Sequence, residues 1–309
     1  MAGGDMARND YQRWRDLTIR PFQTLEEYEA CADFQEEIWG RGFSEKVSAA
    51  ILMIANRLGG LAAGAFDAGG TLQGFVFGLT GVADGELVHW SDMLAVRDAV
   101  RDQGLGTHLK WYQRRVMLER GVGEMRWTFD PLQSRNAHVN FAKLGIVSRE
   151  YVVNMYGITD SPLHRGMDTD RLVATWELNS DRVVSRISVS GGAGAFNEIE
   201  WASVPRVLPV ASDGIHSSPG SPVLGIDEPR VLVGVPPAVD TIIDAVPELA
   251  TRWREATRKV FTDYLSRGYQ VTEFFRTERG SFYLLEAFCA EASKAGCSDV
   301  GAAEGENTP

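Results

Sequence analysis

The spacing of apolar residues predicts the order of elements in the first part of the chain. Residues 17–22 alternate apolar and polar positions, which is typical of a half-buried strand. Apolar residues then recur at helical spacing in two segments, which predicts two amphipathic helices. The recurring residues are Tyr28, Cys31, Phe34 and Ile38, and then Val47, Ile51, Ile54 and Leu58. Three apolar runs at 61–66, 72–80 and 86–96 predict three strands.

Further along, strands and helices alternate. A polar, glycine-containing loop at 97–106 leads into a helix that ends near Gly121. A strand at 124–129, a short helix at 136–144 and another strand at 147–155 follow. Strands that alternate with helices predict a mixed sheet with crossover helices.

The C-terminal part of the chain begins after a shift in composition. Residues 179–228 are rich in Ser, Gly and Pro and carry only weak strand signals, which indicates a linker or an insertion. A continuous apolar strand at 231–235 then opens a region with one helix and one hairpin. The sequence LERG at 118–121 is echoed by LSRG at 265–268, so we expect this region to be a partial copy of the middle of the chain.

Composition and charge narrow the function classes. The chain has 309 residues, 44% hydrophobic and 24% charged, which is typical of a globular protein. With 31 Lys and Arg against 42 Asp and Glu, the net charge is −11, which disfavours contact with a phosphate backbone. We therefore expect no nucleic-acid partner, although a few local donors would suffice for a small anionic ligand.

The apolar runs, the N-terminus and the cysteines indicate where in the cell the protein is located. No apolar run approaches the ~18 residues needed to cross a bilayer, so we expect no membrane partner. The N-terminus lacks the basic and apolar regions of a secretory signal. Cys31, Cys289 and Cys297 have no metal-ligand spacing, which favours reduced thiols in the cytoplasm and no metal site.

The most specific chemical signal lies between the strand at 86–96 and the next helix. Residues 101–107 read RDQGLGT, with two glycines where the amphipathic helix begins. Glycine lets the backbone approach a ligand closely, and the first N–H groups of a helix have no internal partner. With Arg101 and Thr107 as further donors, the segment predicts a pyrophosphate site. The alternative is a plain helix start whose glycines allow close packing.

This segment, Arg101 to Gly106, resembles the Arg/Gln-x-x-Gly-x-Gly/Ala signature of the GNAT superfamily of acyl-CoA-dependent N-acyltransferases. The strand end MLAV at 93–96 and the segment NAHVNFAKLGI at 136–146 are similar to two further segments of that superfamily. The resemblance covers residues 15–178 and includes the order of predicted elements. Residues 128–136 and the C-terminal extension resemble one branch of predicted acetyltransferases, and succinyl transfer from succinyl-CoA to amino acids is attributed to some of its members.

The resemblance implies an α+β fold with a GNAT-type mixed, mostly antiparallel sheet flanked by helices, and a smaller C-terminal α+β part resembling a partial repeat. The predicted parts are a flexible N-terminus (1–14), a GNAT acyl-CoA-binding catalytic domain (15–178), a Ser/Gly/Pro-rich linker or insertion (179–228), an accessory α+β domain (229–288) and a disordered tail (289–309). We expect the accessory domain to complete the sheet, cover the acceptor pocket or form a subunit interface, for instance in a homodimer.

The resemblance also implies how acyl-CoA, as co-substrate, is held. The strand end at 94–96 would pair with the pantetheine arm, and the N–H of Leu94 would face the acyl carbonyl. The N–H groups of 103–107 would hold the pyrophosphate. Asn136 and Lys143 would lie near the pantetheine and the 3′-phosphate. The whole expected set is Leu94, Ala95, Val96, Arg101, Asp102, Gln103, Gly104, Leu105, Gly106, Thr107, Asn136, Phe141 and Lys143.

Transfer to an amine requires a base that removes a proton from the ammonium group. The resemblance places this base on the strand a few residues before Val96. The period of two in a strand puts Asp92 on the same face as Val96, so Asp92 is the predicted base. A structural carboxylate at a strand end is the alternative. His89 has the more suitable intrinsic pKa, but the same parity points it to the other face.

The leaving thiolate often needs an acid as well. The superfamily's frequent acid is a tyrosine, and Phe141 stands at its position here. Either Tyr151 or Tyr156 substitutes, or water protonates the thiolate. Asp130 is a further candidate near the substrate, or a turn cap before Pro131.

The connection at 156–171 is dense in His, Arg and Asp. If the acceptor or the acyl tail carries a carboxylate, Arg165 or Arg171 could bind it as a planar donor fork. The alternative is a solvated loop with local ion pairs.

The sequence thus predicts an enzyme that moves an acetyl or succinyl group from a CoA thioester to the amine of a small molecule such as an amino acid, by direct attack in a ternary complex. The alternative is a catalytically inactive GNAT-like protein that binds or senses acyl-CoA, which the missing hydroxyl at Phe141 favours. A dinucleotide-binding fold is excluded because the loop follows several strands and lacks the third glycine and the acidic ribose partner.

Overall fold

The computed structural model describes residues 12–157, 166–188, 201, 203–211, 215–277 and 280–288. The strands are β1 (Arg13–Trp14), β2 (Leu17–Pro21), β3 (Leu61–Phe66), β4 (Leu72–Ala83), β5 (Glu86–Val96), β6 (Glu124–Phe129), β7 (Val147–Val152), β8 (Arg171–Glu177), β9 (Arg206–Leu208), β10 (Val210–Ala211), β11 (Ser218–Pro219), β12 (Arg230–Val235), β13 (Tyr269–Arg276) and β14 (Ser281–Ala287). The α-helices are α1 (Leu25–Trp39), α2 (Ala49–Arg57), α3 (Leu105–Glu119), α4 (Ser134–His138), α5 (Asp181–Ser188), α6 (Val239–Ala245) and α7 (Pro247–Ser266).

One large sheet runs through both halves of the chain. Its 12 strands lie in the order β1-β2-β3-β4-β5-β6-β8-β7-β13-β14-β12-β9. The pairings are antiparallel except β5 with β6 and β12 with β9, which are parallel. The fold-class prediction, a mixed and mostly antiparallel sheet flanked by helices, is confirmed.

Helices cover the two faces of this sheet with separate cores. Thr24 accepts a hydrogen bond from the N–H of Glu27 and so caps α1, whose Tyr28 and Phe34 pack with α2 and the aromatic residues of β4 on one face. On the other face α3, α4 and α7 bury a larger apolar cluster. Strand β3 is buried along its whole length because it is covered on both sides.

Strand β5 contains a bulge at Asp92. Ser91 pairs with Gly78 of β4, and Met93 pairs with Phe77, so Asp92 has no partner on that strand. A bulge of this kind adds one residue to one strand and locally increases the twist. A Cβ on Gly78 would lie 2.4 Å from the ring of His89 and 2.5 Å from a backbone oxygen of β5, so glycine is required where the strands approach here.

The extra residue reverses the alternation of side chains along β5. His89 hydrogen-bonds Gln113 on α3, and the ends of Leu94 and Val96 lie 3.4 and 3.9 Å from where a Cβ on Gly106 of the same helix would stand. All three strand residues therefore face α3. The parity prediction, which put His89 on the face opposite to Val96, is wrong because it assumed an unbroken period of two. The same assumption put Asp92 on the face of Val96, and the bulge removes that argument as well.

The C-terminal part continues the sheet from β7 through β13. The unit β12, α6–α7, β13 and β14 has the strand order β12-β14-β13, and the unit β6, α4, β7 and β8 has the equivalent order β6-β8-β7. A glycine with positive φ precedes both β7 and β13, namely Gly145 (75°) and Gly268 (85°). The C-terminal part therefore repeats the strand order of the middle part. The LERG echo predicted that β13 corresponds to β6, whereas the strand order makes β13 the equivalent of β7.

The segment predicted as a linker or insertion contributes α5 and β9 to β11 within its described residues. The predicted domain boundaries stay a prediction. Residues 1–11 and 289–309, which include Cys289 and Cys297, lie outside the described residues.

A buried ion pair joins the two parts. Arg254 on α7 is bound in bidentate fashion by Asp130, which follows β6, with N–O distances of 2.9 and 2.6 Å. Asp130 also accepts the N–H of Leu132, as a turn cap does, and Tyr283 donates to the oxygen of Pro131 at 2.7 Å. The side chain of Arg254 is 3% exposed, so its charge depends on Asp130.

We expect Gly78→Ala to destabilise the fold by about 1–3 kcal/mol, because the new methyl group must displace His89 or the backbone of β5. Gly81→Ala is the matched control, since it lies on the same strand and a Cβ there meets nothing within 4 Å. Urea unfolding compares the two free energies of unfolding. Equal values would contradict the steric constraint at the bulge.

We expect Asp130→Asn to destabilise the protein by about 3–5 kcal/mol, because it removes the carboxylate that is bound to the buried guanidinium of Arg254. The control is Asp227→Asn, which breaks an ion pair to Arg267 in which the carboxylate is 92% exposed. That change should cost less than about 1 kcal/mol. Thermal and urea unfolding measure the loss of stability in both variants. Similar losses would contradict the inference that the contact between the two parts depends on this ion pair.

Candidate functional site

The pairing of β5 with β6 ends after three residues on each strand. The last pair joins Trp90 to Arg126. Beyond it β6 runs to Phe129 and β5 to Val96, while β5 stays paired with β4 on its other edge. The backbone of 93–96 on the edge towards β6 thus has no strand partner within the described chain. We call the space between the two strands the β5–β6 gap.

The gap opens towards the start of α3. Gly104 is the N-cap residue, with φ 97°, and no described side chain caps this helix. Its first internal hydrogen bond runs from the N–H of His108 to the oxygen of Gly104, so the N–H groups of 105–107 precede it. A Cβ on Gly104 would meet nothing within 4 Å, so the left-handed backbone, and not a steric contact, requires glycine there.

Three arginines lie around this helix start. Their nearest partners are Asp98 for Arg101 (2.7 Å), Asp102 for Arg135 and Gln103 for Arg15. Uncapped amide groups and several guanidinium groups together form a fitting site for a pyrophosphate. The sequence analysis gave Arg15 and Arg135 no role at this site because both are far from the loop in the sequence.

The second predicted cofactor segment divides into exposed and buried residues. Asn136 is exposed on α4, and Lys143 is half-buried in the π-helical turn Val139–Leu144 that follows. Phe141 has no exposed surface and packs edge-on against Phe129 and Tyr283. The structure therefore places Phe141 in the core, where it contributes packing and no contact with a ligand.

Asp92 lies at the inner end of the unpaired stretch of β5, as the bulge residue. Its side chain is exposed at the surface but surrounded by protein on most sides, and this partial burial raises its pKa. The nearby charge of Glu45, from the α1–α2 connection, raises the pKa further, and a hydrogen bond with Trp90 opposes the rise. A carboxyl group with a raised pKa is a better proton acceptor.

Across the gap, β6 and the β7–β8 connection supply polar groups. The hydroxyl groups of Thr128 and Tyr156 are 2.8 Å apart, and the guanidinium of Arg171 lies 5.3 Å from the ring of Tyr156. Burial lowers the pKa of Arg171, and the charges of Asp130 and Glu45 oppose this. Glu45 is therefore close to Arg171 as well as to Asp92. Arg165 lies outside the described residues.

Tyr151 lies in a different environment. Its hydroxyl donates to Asp170 at 2.7 Å, and its ring stacks on Phe261. Burial raises the pKa of Tyr151, and the charge of Asp170 raises it further. Asp170 also accepts two hydrogen bonds from Arg258 on α7, at 2.8 and 2.7 Å. The hydroxyl proton of Tyr151 is thus held within a network that ties α7 to the sheet.

On the α3 side of the gap lies a buried polar chain that the sequence analysis missed. Its contacts are Lys110 Nζ to Ser91 Oγ (2.7 Å), Ser91 Oγ to Gln113 Oε1 (2.9 Å), Gln113 Nε2 to His89 Nε2 (2.9 Å), His89 Nδ1 to Thr80 Oγ1 (2.9 Å) and Thr80 Oγ1 to the oxygen of Gly59 (2.8 Å). Burial lowers the pKa of Lys110 to about 7 and, with the charges of Lys110 and Arg120, that of His89 to about 3.

None of the helices among the described residues is both long and apolar enough to cross a membrane. The described residues also contain no group of three or more His, Cys, Asp or Glu side chains arranged to hold a metal ion.

No protein-family model and no curated protein sequence matches the chain. Among solved structures, the chain is similar to the ribosomal-protein-S18-alanine N-acetyltransferase of Escherichia coli, with 18% identity, TM-score 0.41, and coverage of 53% of this chain and 95% of that one. It is similar to a GNAT family acetyltransferase of Elizabethkingia anophelis with acetyl-CoA bound (15%, 0.39, 53% and 99%). A GNAT family acetyltransferase of Streptococcus pneumoniae is a third (14%, 0.42, 52% and 97%).

Nearly the whole length of each of these structures aligns with about half of this chain. Independently of them, residues 17–177 form one strand, two helices, three strands, the glycine-loop helix, a strand, a helical turn and two strands, which contains the order on which the sequence resemblance rests. The described residues therefore have the order of elements that the sequence resemblance implies.

Proposed function

We propose that the protein is an acyl-CoA-dependent N-acyltransferase, with the β5–β6 gap as its active site. The observation that carries the proposal is the arrangement along the end of β5. A proton-accepting carboxylate, Asp92, lies at one end of an unpaired backbone edge, and an uncapped helix start lies at the other.

The cofactor role of the helix start follows from its charge. The N–H groups of 103–107 and the side chain of Arg101 bind the pyrophosphate of CoA, with Arg15 and Arg135 close by. Leu94, Ala95 and Val96 offer backbone groups to the amide-rich pantetheine arm, as a strand edge does to an added strand. Asn136 and Lys143 lie on the helical segment beyond. An acyl group on the thiol then reaches the bulge.

The acceptor amine approaches from the side of Glu45, Thr128 and Tyr156. Asp92 takes a proton from the ammonium group, which frees the lone pair of the nitrogen. The nitrogen forms a bond to the acyl carbon while the bond from carbon to sulfur breaks, and the N–H of Leu94 stabilises the charge on the carbonyl oxygen. The nitrogen loses its second proton to water as the amide forms, and the thiolate gains one from Tyr156 or from water. A Tyr156 that has given its proton regains one from water, and Asp92 releases its proton to solvent, so the net products are an amide, a thiol and one proton.

The rival proposal, an acyl-CoA-binding protein without catalysis, draws on the core position of Phe141, which leaves no hydroxyl group at that point of the fold. The two are distinguished by thiol release. A protein that binds acetyl-CoA but releases no CoA thiol with any of a panel of amino acids and other small amines is a sensor. We also propose that the protein is cytoplasmic and forms a homodimer.

We expect Asp92→Asn to lower kcat by about 100-fold or more, because general-base catalysis contributes on the order of 10²–10⁴. Its dissociation constant for acetyl-CoA should not change. Glu86→Gln is the control, since Glu86 is an exposed carboxylate at the other end of the same strand. Thiol release measures the rate and calorimetry the affinity. An unchanged rate in Asp92→Asn would remove Asp92 as the base.

We expect Arg101→Ala to weaken binding of CoA and acetyl-CoA by about 10- to 100-fold, because it removes a charged donor to the pyrophosphate. The effect should shrink at high salt, since the guanidinium is 48% exposed. Arg57→Ala on α2 removes an exposed arginine away from the gap and serves as the control. If both variants bind CoA as the unchanged protein does, the pyrophosphate is not held at this helix start.

A further inference from the structure

Gln113 on α3 binds two residues of β5 that come just before the bulge. The side chain of Gln113 has no exposed surface. Its Oε1 accepts a hydrogen bond from the hydroxyl of Ser91 at 2.9 Å, and its Nε2 lies 2.9 Å from Nε2 of His89. Because Ser91 and His89 are two residues apart on the strand, one glutamine holds both side chains on the face towards α3.

The direction of each bond in this anchor follows from the donors available. An amide nitrogen donates, so His89 accepts at Nε2 and donates from Nδ1 to Thr80, 2.9 Å away. Burial lowers the pKa of His89 to about 3, so its ring is neutral, as this arrangement requires. Lys110 donates to the oxygen of Ser91 at 2.7 Å, which leaves the hydroxyl proton of Ser91 for Gln113. The anchor therefore needs one acceptor and one donor on the same side chain, which an amide provides.

Beyond the bulge, apolar contacts hold the strand on the same face. The end of Leu94 lies 3.4 Å from where a Cβ on Gly106 of α3 would stand, while Met93 packs against the apolar cluster on the opposite face of the sheet. Ser91 and Leu94 thus share a face although they are three residues apart. An unbroken strand would put them on opposite faces. The two anchors together therefore require one extra residue between them, and that residue is Asp92.

The helix that carries this anchor also carries the proposed pyrophosphate site. Gln113 lies eight residues after Leu105, the first residue of α3, which is a distance of about 12 Å along the helix axis. One helix therefore fixes the bulge of β5 relative to the place where the cofactor is proposed to bind.

We propose that Gln113 is a positioning residue for Asp92. By holding His89 and Ser91 on α3, it keeps the bulge at residue 92 and the carboxylate on the side of the acceptor amine. This inference rests on the proposed function. Without the anchor, the extra residue can move along the strand, and a shift of one residue turns a side chain to the other face of the sheet.

Gln113→Met tests this role, because methionine has a similar length and makes neither hydrogen bond. The assay is CoA thiol release from acetyl-CoA, with the small amine that reacts fastest with the unchanged protein. We expect kcat to fall by about 10- to 100-fold, since a displacement of about 1 Å at a reacting group can cost on the order of 10² in rate. The dissociation constant for acetyl-CoA should not change, because the start of α3 remains intact.

A double-mutant cycle separates positioning from a general loss of structure. A residue that acts through Asp92 has nothing left to position once the carboxylate is removed. We therefore expect Gln113→Met to cause no further loss of kcat in an Asp92→Asn background. An equal loss in both backgrounds would overturn the proposal, and so would an unchanged kcat in Gln113→Met alone.

Asn56→Leu is the matched control. Asn56 also ties a helix to a strand through its amide, since it bonds the backbone of Ala62 on β3 at 2.7 and 2.9 Å. We expect it to lower the free energy of unfolding in urea and to leave kcat unchanged. A loss of kcat equal to that of Gln113→Met would trace the effect to stability and overturn the proposal.

Ser91→Ala is the second variant, for use where Gln113→Met does not fold. It removes one of the two bonds to Gln113, so we expect a smaller loss of kcat, again with no further loss in the Asp92→Asn background. A loss that is the same in both backgrounds would contradict the role of the anchor.

A crystal structure of Gln113→Met, or of Ser91→Ala, gives a measurement that does not depend on activity. It should show the extra residue of β5 displaced or the carboxylate of Asp92 moved, and an unchanged bulge would overturn this inference. If no amine releases thiol from acetyl-CoA, the proposed function fails, while the crystal structure still tests the anchor. If Asp92→Asn lowers kcat and Gln113→Met does not, this inference alone fails.

Discussion

The bulge at Asp92 is the constraint on which the rest of the site depends. It adds one residue to β5 opposite Gly78, where two backbones are too close for a Cβ. Just before it, the pairing of β5 with β6 ends. A strand that has lost its partner on one edge leaves hydrogen-bonding groups that must find another partner. The bulge thus places a carboxylate, a free strand edge and the entrance of the gap within a few residues.

The bulge also separates two kinds of chemistry. Asp92 is exposed on the side where the amine is proposed to bind, while Ser91 and His89 point towards α3 and belong to a buried polar chain. Burial affects the two sides in opposite ways. It raises the pKa of Asp92 and lowers the pKa of Lys110, because burial disfavours the charged form of each group.

The C-terminal part is held by charge as much as by sheet pairing. Strand β13 extends the sheet from β7, and Arg254 and Arg258 of α7 bind Asp130 and Asp170. Asp170 holds the hydroxyl proton of Tyr151 in turn. These residues stand next to Arg171 and the β7–β8 connection, on the side of the proposed acceptor. The accessory part therefore stabilises the wall of the site while it completes the sheet.

The net charge of the protein is −11, yet three positive side chains, Arg15, Arg101 and Arg135, lie together at one helix start. The net charge of the protein would repel the proposed anionic cofactor, and the charged groups at this one helix start would attract it. Of these three arginines, only Arg101 lies in the glycine-containing loop that the sequence predicts. The other two reach the loop from distant parts of the chain, because the sheet edge and α4 are packed against it.

By itself, the sequence determined the order of the elements from β2 to β7 and the glycine-containing helix start, because these depend on periodicity and turn chemistry over a few residues. It missed β8 and α5, and the choice of Asp92 stays a prediction, because the period of two on which it rests is broken at the bulge. Tertiary structure decided what depends on a partner strand or helix. It set the side to which His89 points, since a bulge forms only where one strand carries an extra residue relative to its partner strand. It also decided the core position of Phe141 and the register of the partial copy. The burial of Lys110 against Ser91 and Trp127 followed in the same way, because these contacts arise only when β5, β6 and α3 come together.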